Sequence, residues 1–201
     1  MPTATVRPAT PADLPAVAAI FAHYVETSVV TFEETPPPVA DWARKLAGLR
    51  DRGLPFLVAD TADTDGMGGM GGMGGMGGAI AGYAYAAPWR PRPAYRHTAE
   101  NTVYLSPAHT GRGLGRALMT ALLGACAAAG VRQLVAVVVD EHGANGDPST
   151  TAARPNPSLA LHRSLGFAEI GRLTAVGRKH GRWLDTVLLQ RPLGAGDPHR
   201  M

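Results

Sequence analysis

The chain has 201 residues, of which 45% are hydrophobic and 17% are charged, which is enough apolar sequence for one domain with a substantial core. The net charge of +3 comes without a dense run of lysine and arginine, so the composition excludes a strongly basic nucleic-acid-binding protein. The single cysteine, Cys126, excludes an intramolecular disulfide and a multi-cysteine zinc site.

The amino-terminal residues predict a strand followed by a helix. Residues 1–20 carry no basic segment followed by an apolar one, and no apolar run reaches membrane-spanning length, so we expect a cytoplasmic protein with no membrane partner. Residues 3–7 alternate as in a strand. In Thr10-Pro11-Ala12-Asp13 the threonine can cap a helix and the aspartate can reach back to the cap. Apolar residues at helical spacing then continue to Val25.

A second helix and a hairpin are predicted next. One helical face after prolines 36–38 carries Val39, Trp42, Leu46 and Leu49. Residues 56–59 and 80–86 have the pattern of paired strands. Between them, residues 66–78 repeat glycine and methionine with a period of three. Four methionine thioethers could hold Cu(I), but the composition favours a flexible hairpin loop, to which we assign no function.

The second half of the chain predicts three strands and two helices after a strand at 102–105. The helices are a long amphipathic one from Leu114 to Ala125 and a short one that begins at Asn156 and Pro157 and ends at Gly166. The predicted strands cover 134–139, 167–177 and 183–190. A long polar loop at 141–155 and a flexible tail at 194–201 complete the chain.

The predicted succession is β-α-α-β-β-β-α-β-α-β-β, an α/β or α+β domain with a mixed central sheet over residues 1–193.

The segment Gly111-Arg112-Gly113-Leu114-Gly115 joins a strand to the long helix. Its backbone amides, the helix dipole and the cation of Arg116 suit an anion. A Walker loop would need Gly-Lys-Ser/Thr, which Arg116-Ala117 does not supply, and a dinucleotide loop would need glycine in place of Arg116. The pyrophosphate of acetyl-CoA remains as a ligand, beside the alternative of a purely structural glycine turn.

Motifs along residues 6–190 resemble those of one enzyme family. They are Val6-Arg7-Pro8-Ala9-Thr10 with Asp13, His23-Tyr24 with Glu26-Thr27-Ser28, Gly82-Tyr83-Ala84-Tyr85, Thr98-Ala99-Glu100 with Thr102-Val103-Tyr104, Gly113-Leu114-Gly115, Leu161-His162 with Leu165-Gly166-Phe167, and Lys179-His180-Gly181 with Trp183 and Asp185. The chain resembles the GNAT superfamily of acetyltransferases, and within it the phosphinothricin N-acetyltransferase branch. The resemblance implies the GNAT fold and acetyl-CoA as cosubstrate, without a metal.

The resemblance also implies which residues hold acetyl-CoA. The strand that pairs with the pantetheine arm and polarises the thioester carbonyl corresponds to Val103, Tyr104 and Leu105. The pyrophosphate loop corresponds to Thr110, Gly111, Arg112, Gly113, Leu114, Gly115 and Arg116. The helix start that meets the far end of the pantetheine corresponds to Asn156 and Ser158. Here their spacing is one residue shorter than the family's, so Asn145 is a possible substitute for Asn156.

Two residues correspond to catalytic groups of the branch. Glu100 matches the proposed general base, which must deprotonate the amine because an ammonium has no lone pair. His162 matches a histidine proposed to assist. The residues alone also permit a solvated glutamate and a histidine packed in a helix. Cys126 lies among alanines, where packing is expected rather than an acyl-cysteine, so we expect direct transfer in a ternary complex.

The acceptor implied by the resemblance is the α-amine of a small anionic amino acid such as phosphinothricin, methionine sulfone or methionine sulfoximine. The implied acceptor-binding residues are Phe32, Arg90, Arg92, Tyr95, Ala99 and Thr102. Arginines can bind carboxylate or phosphinate oxygens. Two alternatives stay open: acetylation of a peptide N-terminus or another amine, and a non-catalytic acyl-CoA sensor. The branch also implies a homodimer, and no nucleic-acid partner is expected.

Overall fold

The computed structural model describes residues 4–61, 79–140 and 156–194. The predicted Gly/Met tract, the long polar loop with Asn145, and the tail after residue 194 lie outside the described residues. The described strands are Ala4–Pro8 (β1), Phe56–Thr61 (β2), Ala79–Pro88 (β3), Thr98–Leu105 (β4), Gln133–Asp140 (β5), Ala168–Lys179 (β6) and Arg182–Pro192 (β7). The described helices are Leu14–Thr27 (α1), Val39–Arg50 (α2), Leu114–Ala128 (α3) and Pro157–Ser164 (α4). The mixed α/β class is confirmed.

All seven described strands form one sheet in the order β1-β2-β3-β4-β5-β7-β6. Neighbouring strands are antiparallel except β4 and β5, which are parallel. Their pairing joins Thr98–Glu100 to Gln133–Val135 only, although β4 continues to Leu105 and β5 to Asp140. The two strands therefore separate after Glu100, and the middle of the sheet opens into a gap.

The sheet carries a different hydrophobic cluster on each face. Tyr83 and Tyr85 of β3 pack with residues of α1 and α2. Ala84 and Ala86, which alternate with them, pack with residues of α3. Because successive side chains of a strand point to opposite faces, β3 separates an aromatic α1/α2 side from an aliphatic α3 side. The alternation continues along β4, which forms one edge of the gap.

The chain enters α1 through a 3-10 turn at Pro11–Asp13 rather than directly. The Asp13 carboxylate accepts hydrogen bonds from the backbone N–H of Thr10 at 2.7 Å and from the Arg7 guanidinium at 2.8 Å. These contacts, above all those with Arg7, lower the pKa of Asp13 to about 2. The predicted capping interaction is therefore present, and it is reinforced by an ion pair.

Two apolar residues differ from their predicted burial. Val39, placed on the packing face of the second helix, is 42% exposed because it is the first residue of α2 and precedes the turn that packs through Trp42. Val137 lies within the apolar run predicted as a buried strand and is 37% exposed. Since β4 has separated from β5 at that level, Val137 faces the gap.

No described helix is both long and apolar enough to cross a lipid bilayer.

Candidate active site

A cavity of about 870 Å³ opens where β4 and β5 separate. The consecutive residues from Glu100 to Leu105 line it from β4, and α1, α2, β5 and α4 supply the other walls. Of the site residues predicted from sequence, those lining it are Phe32, Glu100, Thr102, Val103, Tyr104, Leu105, Thr110, Gly115, Asn156, Ser158 and His162. The fold thus brings the predicted base, the predicted thioester strand and the start of α4 to one place.

The glycine loop leads into α3 beside this cavity. Gly111 and Gly113 have φ angles of 72° and 80°, in the left-handed region that favours glycine. Gly113 is the N-cap of the 15-residue α3, whose first amides have no partner within the helix. A Cβ on Gly115 would lie 3.3 Å from the Leu161 side chain, so glycine allows α3 and α4 to approach closely. The loop has the geometry of an anion site.

The two arginines of this loop have different surroundings. The Arg116 guanidinium donates to the Ser164 hydroxyl at 2.9 Å, which directs it along the outside of α4. Arg112 is exposed. Neither arginine lines the cavity, and neither do Gly111, Gly113 or Leu114. A ligand reaching the loop would therefore extend beyond the cavity, past Thr110 and Gly115, which do line it.

Asn156 joins the start of α4 to β5. Its Oδ1 accepts from the backbone N–H of Ser158 at 3.0 Å and of Leu159 at 3.2 Å, while its Nδ2 donates to the Val139 carbonyl at 2.8 Å. Asn156 is thus the N-cap of α4, and both ends of its amide have partners in the protein. Its predicted contact with the cofactor remains a prediction.

Glu100 has the environment of a general base. It is half-buried on β4 and lines the cavity. Burial raises the pKa of its carboxyl group, and the positive charge of Arg90 opposes that shift. A carboxylate with a raised pKa accepts a proton more readily than an ordinary glutamate. The side chains of Thr102 and Tyr104 project to the same face of β4, as the alternation predicts.

His162 is 2% exposed and has hydrogen-bonding partners at both ring nitrogens. Nδ1 lies 2.7 Å from the Ser158 carbonyl oxygen, and Nε2 lies 2.8 Å from Nδ2 of Asn101. The ring also packs edge-on against Phe167 at 5.0 Å between centroids. Burial lowers the pKa of His162, so the imidazole is neutral near pH 7. The predicted helix histidine is therefore packed in the core, at the border of the cavity that it helps to line.

Asn101 is a cavity residue that the sequence reasoning missed. It is 6% exposed, it lines the cavity, and its Oδ1 has no hydrogen-bond partner among the described residues. A single asparagine within an alternating strand does not indicate from sequence that it borders a cavity. Only the alternation along β4, which places Asn101 on the face opposite to Glu100, could have identified it as buried.

The wall formed by Phe32 depends on two further residues missed from sequence. A Cβ on Gly177 of β6 would overlap the Phe32 ring, so glycine is needed for the ring to lie there. Lys179 is 4% exposed and donates to the Thr31 carbonyl at 3.0 Å. These contacts hold the segment after α1 against β6. On the other side, the Tyr24 hydroxyl donates to the Leu105 carbonyl at 2.8 Å, which ties α1 to the end of β4.

Four predicted acceptor residues do not line the cavity. Ala99 is 1% exposed within the core under α3; the prediction that it contacts the acceptor is wrong, because alternation along β4 turns it away from Glu100. Arg90, Arg92 and Tyr95 lie in the exposed turn between β3 and β4. The Arg90 guanidinium is 5.0 Å from the centre of the Trp89 ring, and its charge acts on Glu100.

The described residues offer neither a cysteine nucleophile nor a metal site at this cavity. Cys126 is fully buried in the α3 core, and burial raises the pKa of its thiol to about 12, so the predicted packing role is confirmed. Within the described ranges, no three His, Cys, Asp or Glu side chains cluster as metal ligands. Glu100 and His162 are the two predicted catalytic residues, and both line the cavity.

Comparison with known proteins agrees with this geometry. The sequence model of the acetyltransferase (GNAT) family matches residues 19–146. A phosphinothricin N-acetyltransferase of Alcaligenes faecalis is 44% identical over 193 residues, covering 96% of this chain and 84% of the relative. An L-methionine sulfoximine/L-methionine sulfone acetyltransferase of Pseudomonas paraeruginosa is 33% identical over 198 residues, covering 98% of both chains.

A solved structure gives the same result for the fold. The GNAT phosphinothricin acetyltransferase of Sinorhizobium meliloti, in complex with acetyl-CoA, superposes with a TM-score of 0.78 at 41% identity. The match covers 98% of this chain and 92% of that one. From the family match, these relatives and the geometry of the cavity, the chain belongs to the GNAT family of acetyl-CoA-dependent acetyltransferases.

Proposed function

We propose that the chain transfers the acetyl group of acetyl-CoA to the α-amine of a small amino acid such as phosphinothricin, methionine sulfone or methionine sulfoximine. The observation that carries this proposal is the position of Glu100. A half-buried carboxylate with a raised pKa lines the same cavity as the unpaired part of β4. A base and a site for a thioester are the two things that amine acetylation requires.

The residues at the gap fit acetyl-CoA. Beyond Glu100, β4 has no pairing with β5. Apart from the Leu105 carbonyl, which accepts from Tyr24, the backbone N–H and C=O groups of Val103 to Leu105 on that side are therefore available to an extended ligand with amide groups. The left-handed glycines and the amides at the start of α3 suit a pyrophosphate. When bound, acetyl-CoA supplies an activated acetyl group as a thioester.

Proton transfer is the task of Glu100 in this mechanism. The acceptor enters as an ammonium, and the Glu100 carboxylate removes a proton, directly or through one water, to expose the nitrogen lone pair. A backbone N–H of the β4 segment stabilises negative charge on the carbonyl oxygen under attack. His162, held neutral by burial, contributes a polar wall rather than a positive charge. Transfer is direct, because the Cys126 thiol lies in the core: the acceptor nitrogen forms the amide bond, the thioester C–S bond breaks, and CoA leaves as a thiolate that takes up a proton from solvent.

The acceptor class is supported by the relatives. Proteins named for phosphinothricin and for methionine sulfoximine or sulfone match this chain along almost its whole length. A thiol-release assay with acetyl-CoA and these three amino acids tests the proposal. We expect turnover on at least one of them at micromolar to millimolar KM. Intact CoA binding with no turnover on any of the three would refute this acceptor class.

A second acceptor class is favoured by the charges in the cavity. Three carboxylates line it, those of Glu33, Asp41 and Glu100, with one lysine, Lys45. A predominantly acidic wall attracts a cationic acceptor such as a peptide N-terminus or a polyamine. The same assay with a short peptide and a polyamine decides between the classes by their kcat/KM values. Retained CoA affinity without transfer to any amine would instead identify an acyl-CoA sensor.

A homodimer is supported by an apolar surface on the last hairpin. Exposed Ile170, Leu173 and Val176 of β6 and Trp183 of β7 lie at the end of the sheet where β6 is the edge strand. Several exposed large apolar side chains on one hairpin favour an interaction surface. Light scattering during size-exclusion chromatography should give twice the mass of one chain, and Val176→Lys should reduce the measured mass to that of one chain.

Dependence on acetyl-CoA, a cytosolic metabolite, supports a cytoplasmic location.

A further inference from the structure

Lys45 is the one lysine or arginine among the described residues that line the cavity. Its Nζ donates to the Tyr85 hydroxyl at 3.0 Å. The same atom lies 4.8 Å from the centre of the Trp42 ring and 4.7 Å from that of the Tyr85 ring. The ammonium group is thus fixed over two aromatic rings by a hydrogen bond and by cation–π attraction.

The carboxylate nearest to Lys45 along α2 is directed elsewhere. Asp41 is one turn before Lys45 and forms an ion pair with Arg44 at 2.5 Å. A lysine ammonium has three N–H donors, and the contact with Tyr85 uses one of them. The remaining donors can bind oxygens of a ligand in the cavity. Lys45 stands on α2 at an exposed position, and Tyr85 is buried on β3 in the middle of the sheet.

The strand register connects Lys45 to the candidate base. Tyr85 of β3 lies directly opposite Thr102 of β4, and Ala87 lies opposite Glu100. Directly opposed side chains on an antiparallel pair are about 5 Å apart at Cβ. On the α1/α2 side of the sheet, the side chains therefore follow one another from Lys45 to Tyr85, Thr102 and Glu100. A molecule with its amine at Glu100 would extend along the sheet toward Lys45.

The proposed acceptors differ at the end remote from the amine. All carry an α-carboxylate next to the amine, but phosphinothricin ends in a phosphinate anion, whereas methionine sulfone ends in a neutral sulfone. Arg90 lies in the exposed turn outside the cavity, and its charge acts on Glu100 at the amine end of the acceptor. The remote group needs a donor further from Glu100, and Lys45 is the cation in that direction.

We propose that Lys45, oriented by Tyr85 and Trp42, binds the anionic side-chain group of the acceptor amino acid. The inference rests on the proposed function, since it concerns the far end of the same substrate. It differs from the sequence prediction, which gave all anion recognition to the turn with Arg90 and Arg92. It makes Lys45 a specificity-determining residue, because it favours acceptors with an anionic side chain over neutral isosteres.

Steady-state kinetics of Lys45→Met, with phosphinothricin and with methionine sulfone, test the proposal. Methionine keeps the length and apolar stem of the side chain and removes the charge. We expect the KM for phosphinothricin to rise by about tenfold to a hundredfold, the effect of losing a hydrogen bond to a charged group. The KM values for methionine sulfone and for acetyl-CoA should change far less. Arg52→Met, at an exposed arginine just after the same helix that does not line the cavity, is the control, and Lys45→Arg should restore much of the selectivity.

Binding is measured in parallel, so that the result does not depend on turnover. Calorimetric titration of phosphinothricin into the CoA complex should give a similar loss of affinity in Lys45→Met. An unchanged affinity, an equal loss for both acceptors, or no phosphinothricin binding to the wild type would each overturn the assignment. The proposed function fails separately, if the wild type acetylates none of the amino acids. Melting temperatures of Lys45→Met and Arg52→Met equal to that of the wild type would show that altered folding is not the cause.

Discussion

The amide nitrogen Nδ2 of Asn101 lies 2.8 Å from Nε2 of His162, and this contact fixes the protonation state of the ring. At the other nitrogen, Nδ1, the partner is the Ser158 carbonyl oxygen at 2.7 Å, which can only accept. The hydrogen must therefore be on Nδ1, and Nε2 accepts from the asparagine amide. A strand residue next to the candidate base thus determines the tautomer of a helix residue 61 positions later.

Replacement of Asn101 by aspartate should raise the pKa of His162. The amide donates to Nε2 and so opposes its protonation, whereas a carboxylate would accept from a protonated ring and stabilise its charge. Nitrogen-15 NMR of the imidazole should show hydrogen on Nδ1 in the wild type and a titration at higher pH in Asn101→Asp. His23, an exposed histidine on α1, is the internal reference. An Nε2–H tautomer in the wild type would contradict the prediction.

The free energy of unfolding should decrease as the pH falls below about 6.5, the ordinary histidine value. Burial lowers the pKa of His162 in the folded protein. The unfolded chain therefore binds the proton first, and stability is lost from that pH downward until the folded ring also titrates. Urea unfolding at several pH values measures the slope. His162→Gln should flatten this part of the curve, because it removes the group that binds a proton on unfolding.

Asp13 gives a second loss of stability in a different pH range. Its pKa is lowered to about 2, mainly by the hydrogen bonds from Arg7. Its contribution to the free energy of unfolding is therefore complete above the ordinary aspartate pKa of about 3.9. This contribution is lost as the pH falls from there toward 2. This range lies below that of His162, so the two effects separate along the pH axis.

The sequence predicts the elements of this fold better than the contacts between them. Trp42, Leu46 and Leu49 repeat at helical spacing, and Asn156 before Pro157 is a helix start; such signals are local. Val137 looks like any residue of an apolar strand, and its exposure depends on the separation of β4 from β5. Lys45 resembles an ordinary solvated lysine, because its contact with Tyr85 joins two separate elements. Such non-local contacts leave no pattern in one sequence.

Introduction of a side chain at Gly177 should displace the aromatic wall of the cavity. A Cβ at this position would overlap the Phe32 ring, and overpacking of this kind costs about 1–3 kcal/mol. Gly177→Ala should therefore raise the KM for the acceptor and lower the melting temperature, with little change in the KM for acetyl-CoA.

A double-mutant cycle tests the cause of that effect. In the Phe32→Ala background, Gly177→Ala should be nearly neutral for stability, because the ring that it would strike is absent. If the two effects simply add, the cost of Gly177→Ala does not come from Phe32. Gly171→Ala is the control on the same strand, since a Cβ there would meet no atom within 4 Å.

Alanine at Gly113 should weaken acetyl-CoA binding. Gly113 is the N-cap of α3 at a φ of 80°, and the left-handed conformation costs an alanine about 1–2 kcal/mol. The first amides of α3 would move, and the KM for acetyl-CoA should rise more than that for the acceptor. Gly124→Ala, at an exposed position of the same helix with nothing within 4 Å of a Cβ, should instead stabilise the protein by up to about 1 kcal/mol. Equal KM values for acetyl-CoA in the two variants would refute a role for Gly113 at the pyrophosphate.

Glu100→Gln should lower the rate of acetyl transfer without weakening acetyl-CoA binding. Glutamine keeps the shape of the side chain but cannot take a proton, and loss of a general base costs about 10²–10⁴-fold in rate. Because burial raises the pKa of Glu100, the wild-type kcat/KM for the acceptor should fall on the acid side with a midpoint above the ordinary value of about 4.3. Glu33→Gln, which removes another carboxylate of the same cavity, is the matched control and should retain most of the activity.

The pH at which the activity falls on the acid side should depend on Arg90. Its positive charge lowers the pKa of Glu100 against the effect of burial, so Arg90→Gln should raise that pKa and move the acid limb to higher pH. The measurement is the pH dependence of kcat/KM at saturating acetyl-CoA for the wild type, Arg90→Gln and Arg92→Gln, with Arg92 as the control from the same turn. Glu100→Gln should no longer show the fall of kcat/KM on the acid side. Its loss of rate relative to the wild type should become smaller at alkaline pH, where the acceptor amine is already deprotonated. An acid limb that persists in Glu100→Gln would assign the base to another group.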